Sequence, residues 1–300
     1  MNVIRIGITR GDPAGIGPEI IESALRDLVL PDDCLLEVVG ETSGHAPGHP
    51  TEASARSALD AMEFAAAKLL SGEWNAIVTG PVCKHALHQI GYRFPGQTEF
   101  FAAKAGIENF AMCLTGGALT VALVTAHIPL SRVAGSLTGD EIVRVGGLLR
   151  DFLMMRGIES PRIAVAGVNP HAGENGDLGA EEIEIIAPAV ARLSERGEFF
   201  GPFAPDTVFH RAVSGEFDGV LCMYHDQGLI PLKLLAFHEG INVTLGLPFI
   251  RTSPDHGTAF DIAGKGLARA DSMKSALRLA VDLALKRSWN PAVPPIVSAD

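Results

Sequence analysis

The chain has 300 residues, of which 47% are hydrophobic and 20% charged. This balance is typical of a folded globular protein and excludes wholesale disorder. The length is about twice that of a usual single domain, which favours two domains. The formal net charge is −11 and no stretch concentrates lysine or arginine, so we expect no nucleic-acid partner.

Three further features bear on where the protein works. No apolar run approaches the roughly 18 residues that a membrane span needs, so we expect no membrane association. The four cysteines are scattered, and Cys113 and Cys222 stand in apolar runs where buried free thiols are common. The N-terminus lacks the apolar core of a signal peptide. Together these features predict a cytoplasmic protein.

Short apolar runs alternate with helical patterns along the chain. Predicted strands cover residues 5–9, 75–79, 112–115, 119–125, 162–168, 218–223 and 241–245. Predicted helices start at residues 18 and 96 and cover residues 52–71, 140–155, 180–196, 228–236 and 271–287. This alternation predicts an α/β fold whose mostly parallel sheet carries helices on both faces. The Gly116-Gly117 turn predicts an antiparallel hairpin, which makes the sheet mixed.

Three of the predicted strands are each followed by one histidine just beyond the carboxyl end. These residues are His127, His171 and His225. Ligands of open α/β sheets bind beyond these strand ends, and three imidazoles suit a divalent metal with open positions for substrate. The alternative for each histidine is an ordinary capping or loop residue. Glu174 and Asp226 stand beside two of them as possible orienting groups.

Several polar residues stand in segments that could bind an anion. Thr98 opens a predicted helix, where free N–H groups attract anions, although it could simply cap that helix. Lys233, Asn242 and Arg251 lie in apolar surroundings, which is compatible with a carboxylate or phosphate clamp or, for Arg251, with a structural ion pair. Lys84 follows the strand at 75–79. The chain lacks the Gly-x-Gly-x-x-Gly and P-loop motifs, which argues against a standard Rossmann site but not against NAD bound in another way.

Longer motifs carry a family resemblance. The matching segments are residues 11–19, 79–84, 98–101, 169–174, 224–228 and 242–253. With them the chain resembles the 4-hydroxythreonine-4-phosphate dehydrogenase family of vitamin B6 biosynthesis, from residue 4 to about residue 287. Residues 256–266 are also similar to the cofactor-side loop of isopropylmalate and isocitrate dehydrogenases.

The resemblance implies an isocitrate/isopropylmalate dehydrogenase-like protein of two α/β/α domains. Residues 1–95 with 240–300 would form the cofactor-side domain, and residues 96–239 the metal and dimerisation domain. The active site would lie in the interdomain cleft of a homodimer, with residues drawn from both subunits.

The resemblance also implies roles for individual residues and a set of cofactors. The cofactors would be a divalent metal (Zn, Mg or Co) and NAD or NADP. The metal ligands would be His127, His171 and His225. We expect Lys84 or a metal-bound water to act as the general base, and Asp226 to be a further catalytic residue. The substrate would contact Gln97, Thr98, Lys233, Asn242 and Arg251, and the nicotinamide cofactor His256, Gly257, Thr258 and Asp261.

The implied reaction is oxidation of 4-phosphohydroxy-L-threonine at its 3-hydroxyl, followed by decarboxylation of the β-keto acid to 3-amino-2-oxopropyl phosphate. Two features depart from the family. Gln97 stands where members typically have histidine, and the chain is shorter near residues 40–50. Phosphothreonate and a dihydrodiol dicarboxylate are therefore alternative substrates. A metal-dependent hydrolase and a non-catalytic sensor are alternatives of other classes.

Overall fold

The computed structural model describes residues 3–195 and 197–289, with side chains up to residue 286. The chain forms two compact units, Met1–Glu108 with Leu247–Asp300 and Asn109–Gly246. The predicted domains have other boundaries, since residues 96–108 group with the first unit and residues 240–246 with the second. The roles predicted for the two domains stay predictions.

The first unit is a parallel sheet flanked by helices. Its strands are β1 (Ile4–Thr9), β2 (Cys34–Val39), β3 (Ala76–Thr79) and β10 (Ile250–Pro254), in the order β2-β1-β3-β10. Neighbouring strands pair in parallel. Its helices are α1 (Gly17–Arg26), α2 (Glu52–Leu70), α3 (Lys84–Gln89), α4 (Gln97–Lys104) and α10 (Asp271–Trp289).

Strand β10 shows how the helices of this unit are divided between the two faces of the sheet. Successive side chains of a strand point to opposite faces. Thr252 donates from its hydroxyl to the carbonyl of Ala276 in α10 at 2.9 Å, whereas the guanidinium of Arg251 lies 5.6 Å from the ring centre of Phe101 in α4. Helix α10 therefore covers one face and α4 the other. The core on the α4 side contains Trp74, Ile77, Phe100, Phe101 and Phe249.

The second unit has a mixed sheet. Its strands are β4 (Ala111–Gly116), β5 (Leu119–Leu123), β6 (Arg162–Ala166), β7 (Glu198–Phe203), β8 (Gly219–Cys222) and β9 (Ile241–Leu245), in the order β9-β4-β5-β8-β6-β7. Strand β4 is antiparallel to both β5 and β9, and the other pairs are parallel. Its helices are α5 (Val133–Ser136), α6 (Gly139–Met155), α7 (Ala187–Ser194), α8 (Pro205–Val213) and α9 (His225–Ala236).

Most sequence-predicted elements correspond to an observed one. The hairpin is β4 and β5, and the hydroxyl of Thr138 caps α6 by accepting a hydrogen bond from the N–H of Glu141 at 3.2 Å. The helix predicted over residues 180–196 is instead a π turn, Glu182–Ile186, followed by α7, and its last residue lies outside the described part. Elements β2, β7, β10, α3, α5 and α8 were not predicted, because they are short and their patterns are not strictly periodic.

The prediction of an α/β fold with a mostly parallel, mixed sheet is confirmed. No helix in the described part of the chain combines the length and the apolar character that crossing a membrane requires.

Candidate active site

The three predicted histidines follow strands that are neighbours in the second unit. Strand β8 pairs in parallel with β5 on one side and with β6 on the other. Because parallel strands run in the same direction, their carboxyl ends lie at one edge of the sheet. His127 follows β5, His171 follows β6, and His225 follows β8. One edge of this sheet therefore carries all three segments.

His127 and His225 lie close together. Their ring centres are 5.6 Å apart. His225 is the first residue of α9, and its Nδ1 is 2.7 Å from Oδ1 of Asp226. A carboxylate on Nδ1 fixes the tautomer of the ring and leaves Nε2 as the nitrogen that can bind a metal. Asp226 is thus placed to fix the tautomer and orientation of the His225 ring.

His171 opens a stretch of unusual backbone. Residues 171–175 all have positive φ, between 43° and 80°. Four of these five residues carry a Cβ atom, for which the left-handed conformation costs about 1–2 kcal/mol each. Such strain persists only where the surrounding structure holds it, and it concentrates at functional sites.

Among the described side chains, no group of three or more His, Cys, Asp or Glu residues is arranged to hold one metal ion. Two of the three predicted ligands, His127 and His225, are neighbours. The three-histidine metal site therefore stays a prediction.

A buried glutamine connects two of the histidine-bearing segments. Gln227 accepts a hydrogen bond from the N–H of Met223 and donates one to the carbonyl of Gly167, both at 2.6 Å. Met223 follows β8 and Gly167 follows β6. The side chain therefore links the ends of these two strands. Gln227 belongs to the motif at residues 224–228, but a single buried amide has no periodic signature that would predict this role.

In the first unit, Arg251 forms a buried polar cluster with two threonines. One Nη of Arg251 donates to the hydroxyl of Thr98 and the other to that of Thr79, each at 3.0 Å. Burial lowers the pKa of Arg251 to about 10, against the opposing effect of Glu99. The guanidinium therefore stays charged at neutral pH. Thr79 was not predicted as a site residue, although it directly precedes Gly80-Pro81 in the motif at residues 79–84.

Helix α4 fixes the side chains of Gln97 and Thr98. The N-cap of α4 is Gly96, so the capping alternative for Thr98 is wrong, and its hydroxyl is instead held by Arg251. Gln97 donates from Nε2 to the carbonyl of Gly80 at 3.0 Å. Its Oε1 is buried and, among the described side chains and backbone, receives no hydrogen bond. Because a carbonyl can only accept, this contact turns Oε1 away from Gly80.

Lys84 is an exposed residue at the start of α3. A Cβ atom added to Gly96 would lie 3.6 Å from Nζ of Lys84 and 3.1 Å from Oε2 of Glu99. The ammonium group therefore reaches the turn that precedes Gln97.

The predicted cofactor loop lies against the glycine-rich loop that follows β1. The carbonyl of Thr258 accepts a hydrogen bond from the N–H of Ile16 at 2.9 Å. Nδ1 of His256 is 3.1 Å from the carbonyl of Gly257, and its Nε2 is buried without a hydrogen bond from the described residues. The space around Gly257 is open, and Asp261 is exposed. Open backbone beside a buried ring nitrogen suits close approach of a cofactor.

The remaining predicted substrate residues lie in the second unit. Lys233 is half-buried in α9, the helix that begins at His225. Asn242 lies in β9, and its Oδ1 is buried without a hydrogen bond from the described residues.

Comparison with known proteins decides the family. The family model described as pyridoxal phosphate biosynthetic protein PdxA matches residues 22–280. The chain belongs to the PdxA family. A 4-hydroxythreonine-4-phosphate dehydrogenase of Geobacter metallireducens is 42% identical, over 97% of this chain and 98% of the relative. A D-threonate 4-phosphate dehydrogenase of Pectobacterium atrosepticum is 41% identical, over 93% of this chain and 99% of the relative. The predicted family is thereby confirmed.

Solved structures agree with this assignment. A crystal structure of 4-hydroxythreonine-4-phosphate dehydrogenase from Klebsiella pneumoniae matches this PdxA family chain with a TM-score of 0.80 at 40% identity, covering 94% of this chain and 99% of that one. Isocitrate dehydrogenase of Methylococcus capsulatus matches with a TM-score of 0.52 at 16% identity, covering 95% of this chain and 89% of that one. The second likeness concerns the fold alone and confirms the predicted isocitrate dehydrogenase-like fold.

The alignment with the Geobacter relative also shows that this chain is shorter. The alignment with the Geobacter relative extends over 333 residues, whereas this PdxA family member has 300. At least 333 − 300 = 33 positions of that alignment therefore have no counterpart in this chain.

Proposed function

We propose that the protein oxidises 4-phosphohydroxy-L-threonine at its 3-hydroxyl with NAD or NADP and decarboxylates the resulting β-keto acid to 3-amino-2-oxopropyl phosphate. The observation that carries the proposal is the 42% identity, over nearly the whole of both chains, to a relative named 4-hydroxythreonine-4-phosphate dehydrogenase. The relatives described above carry dehydrogenase names, which argues against the hydrolase and sensor alternatives.

Metal binding is assigned to the three histidines at the edge of the second unit's sheet. The close approach of His127 to His225 and the contact between His225 and Asp226 suit a divalent ion such as Zn, Mg or Co. When bound, the ion would supply Lewis-acid stabilisation of negative charge on the substrate oxygens during both chemical steps. Asp226 would hold His225 in the ligating tautomer.

We assign completion of this site to a homodimer. The described side chains of one chain contain no three-ligand group, and apolar residues are exposed next to each histidine segment. These residues are Leu130, Leu178, Ile230, Leu234 and Phe237. Leu234, in α9, is 85% exposed. Ile230, Leu234 and Phe237 are spaced four and three residues apart and therefore share one face of α9. Exposed apolar surface of this kind marks an interaction site, and a second copy is the occupant that would also contribute metal ligands.

Recognition of the substrate's anionic groups is assigned to Arg251, Lys233 and Thr98, with Gln97 and Asn242 contributing amide groups. Arg251 is charged at neutral pH because its pKa, though lowered by burial, is about 10. The contacts to Thr79 and Thr98 hold its plane in one orientation. A fixed guanidinium is suited to a carboxylate or phosphate. Lys84, which reaches the turn before Gln97, is the candidate acceptor for the hydroxyl proton.

Cofactor binding is assigned to His256, Gly257, Thr258 and Asp261. Open space at Gly257 and the buried Nε2 of His256 support this assignment. These residues would hold NAD or NADP, which supplies the acceptor for the hydride. We also place the protein in the cytoplasm, since all four of its cysteines are free thiols, as is usual in a reducing compartment.

Two observations make D-threonate 4-phosphate the second candidate substrate. A relative named D-threonate 4-phosphate dehydrogenase is nearly as similar, and Gln97 replaces the usual histidine at a predicted substrate position. The decisive experiment measures reduced-cofactor absorbance with 4-phosphohydroxy-L-threonine, D-threonate 4-phosphate and a dihydrodiol dicarboxylate, each with NAD and NADP. We expect the highest kcat/KM for 4-phosphohydroxy-L-threonine. A higher value for either of the others would replace the proposed substrate, and no turnover of any would contradict the dehydrogenase assignment.

A further inference from the structure

A buried carboxylate lies behind the segment that carries His171. Glu182 is the first residue of the π turn Glu182–Ile186 and is only 3% exposed. Burying a carboxylate is costly unless its oxygens accept hydrogen bonds. Oε1 of Glu182 accepts from the N–H groups of Val168 and Asn169 at 2.7 and 2.8 Å. Oε2 accepts from Nδ2 of Asn169 at 2.9 Å.

The same carboxylate packs against the backbone on both sides of His171. A Cβ atom on Gly167 would lie 2.9 Å from Oε1 of Glu182, and one on Gly173 would lie 2.7 Å from Oε2. Both distances are too short for a real Cβ atom, so glycine is required for the carboxylate to come this close. Glu182 therefore touches the chain four residues before His171 and two residues after it.

Three glutamates, Glu181, Glu182 and Glu184, lie within four positions of the sequence, but only Glu182 is buried. The wide turn of a π helix shifts the register of the residues within it, and such turns recur at functional sites. Here the π turn begins at Glu182, whose carboxylate contacts the loop that carries His171.

We propose that Glu182 is a positioning residue that holds the left-handed segment 171–175 and so aims His171 at the metal. This inference rests on the proposed function, because it takes His171 to be a metal ligand. The hydrogen bonds of Glu182 fix the chain at Val168 and Asn169, directly ahead of the strained residues. Without them the segment relaxes toward ordinary backbone angles and the imidazole leaves its place.

The charge and acceptor pattern of glutamate is needed for this contact. Three N–H hydrogens point at two carboxylate oxygens. Glutamine has nearly the same shape, but its NH₂ group would face at least one of these donors. Glu182→Gln therefore removes part of the contact while keeping the volume. Glu184→Gln, at an exposed site in the same turn, is the matched control.

The experiment titrates the metal-free protein with Co²⁺ and follows its visible absorption, with no substrate or cofactor present. We expect Glu182→Gln to bind Co²⁺ about 10 to 100 times more weakly than the wild type, the range found for residues that orient metal ligands. Glu184→Gln should bind as the wild type does. Hydrogen–deuterium exchange of the metal-free protein should increase in residues 168–178 of Glu182→Gln and not elsewhere.

The variant His171→Ala distinguishes a failure of the metal role of His171 from a failure of the positioning role of Glu182. If it loses Co²⁺ binding while Glu182→Gln binds within twofold of the wild type, the positioning role is overturned and the metal role of His171 stands. If His171→Ala binds Co²⁺ normally, the proposed metal site fails and the positioning role fails with it. A general increase of exchange in Glu182→Gln would mean a structural role only and would also overturn the inference.

Asn169→Ala provides a milder test should Glu182→Gln fail to fold. This change removes one of the three hydrogen bonds to Glu182, together with the 2.7 Å hydrogen bond from Nδ2 to Oε2 of Glu181, and keeps both backbone donors. We expect Co²⁺ affinity to fall by about 3- to 10-fold, below the loss that direct removal of an orienting partner causes. Unchanged affinity in folded Asn169→Ala would contradict the proposal.

Discussion

Asp12 accepts a hydrogen bond from the backbone N–H of Ala14 through Oδ1 at 3.0 Å, while its Oδ2 is buried and receives none from the described residues. The residue is 1% exposed, in the glycine-rich loop after β1. Burial raises the pKa of this carboxyl above its usual 3.8, although the hydrogen bond from Ala14 opposes the shift. Ionisation of Asp12 therefore destabilises the folded state.

The raised pKa of Asp12 predicts a pH-dependent effect of Asp12→Asn. The folded state keeps the proton to a higher pH than the unfolded state, so the stabilisation from protonated Asp12 is complete at low pH and lost as pH rises through the folded pKa. The unfolding midpoint of Asp12→Asn in urea should therefore rise relative to that of the wild type as the pH increases above about 4. Asp60→Asn, at an exposed site, corrects for the loss of one negative charge. A difference that stays constant or falls with pH would contradict the prediction.

The two buried hydrogen bonds of Gln227 predict a large loss of stability in Gln227→Leu. The change leaves the N–H of Met223 and the carbonyl of Gly167 without their partner. An unsatisfied buried group costs about 1–3 kcal/mol, so we expect a loss of about 2–4 kcal/mol in the free energy of unfolding. Denaturant titration measures it. Gln89→Leu, at an exposed site, should change stability by less than about 0.5 kcal/mol, and an equal effect of both changes would refute the role of Gln227.

We expect Gln97→His to change the substrate preference of the enzyme. Gln97 cannot carry a proton at neutral pH, whereas histidine can. We expect Gln97→His to change the ratio of kcat/KM between 4-phosphohydroxy-L-threonine and D-threonate 4-phosphate by about tenfold, or about 1.4 kcal/mol. The KM for the nicotinamide cofactor should stay within twofold. An unchanged ratio would show that this position does not select the substrate.

The metal role of the histidines predicts that His171→Ala loses bound metal and catalytic activity together while the chain stays folded. Metal content is measured by elemental analysis, folding by circular dichroism, and turnover by reduced-cofactor absorbance. His210→Ala, at an exposed position in α8, should keep both metal and activity. Full turnover of His171→Ala after treatment with a chelator would be incompatible with a metal-dependent reaction.

The exposed apolar face of α9 predicts that Leu234→Glu dissociates the homodimer. A charge placed in a buried apolar interface is strongly unfavourable without a partner, so the variant should sediment as a monomer where the wild type sediments as a dimer. Because the metal site is proposed to be shared, the variant should also lose metal affinity. Val29→Glu, at an exposed apolar residue of the other unit, should remain dimeric. A wild type that sediments as a monomer would contradict the dimer itself.

The site could be predicted in part because its candidate metal ligands directly follow predicted strands. Loops after β5, β6 and β8 each deliver a histidine, and the order of strands and loops is readable from local hydrophobic patterns. The longer motifs identified the family that the comparisons confirmed. Patterns of this kind depend on neighbouring residues in the chain, which is why they can be read without coordinates.

Contacts between distant residues were decided by tertiary structure alone. Arg251 and Thr98 are 153 positions apart and meet only when β10 and α4 have packed. Burial of Glu182 rather than Glu181 or Glu184 depends on the π turn and on the loop that it supports. The left-handed backbone at residues 171–175 could not be predicted either, because four of these five residues are not glycine. The amino-acid sequence thus determined which elements and reactive groups are present, and the fold determined which of them meet, because hydrogen bonding and burial depend on spatial neighbours.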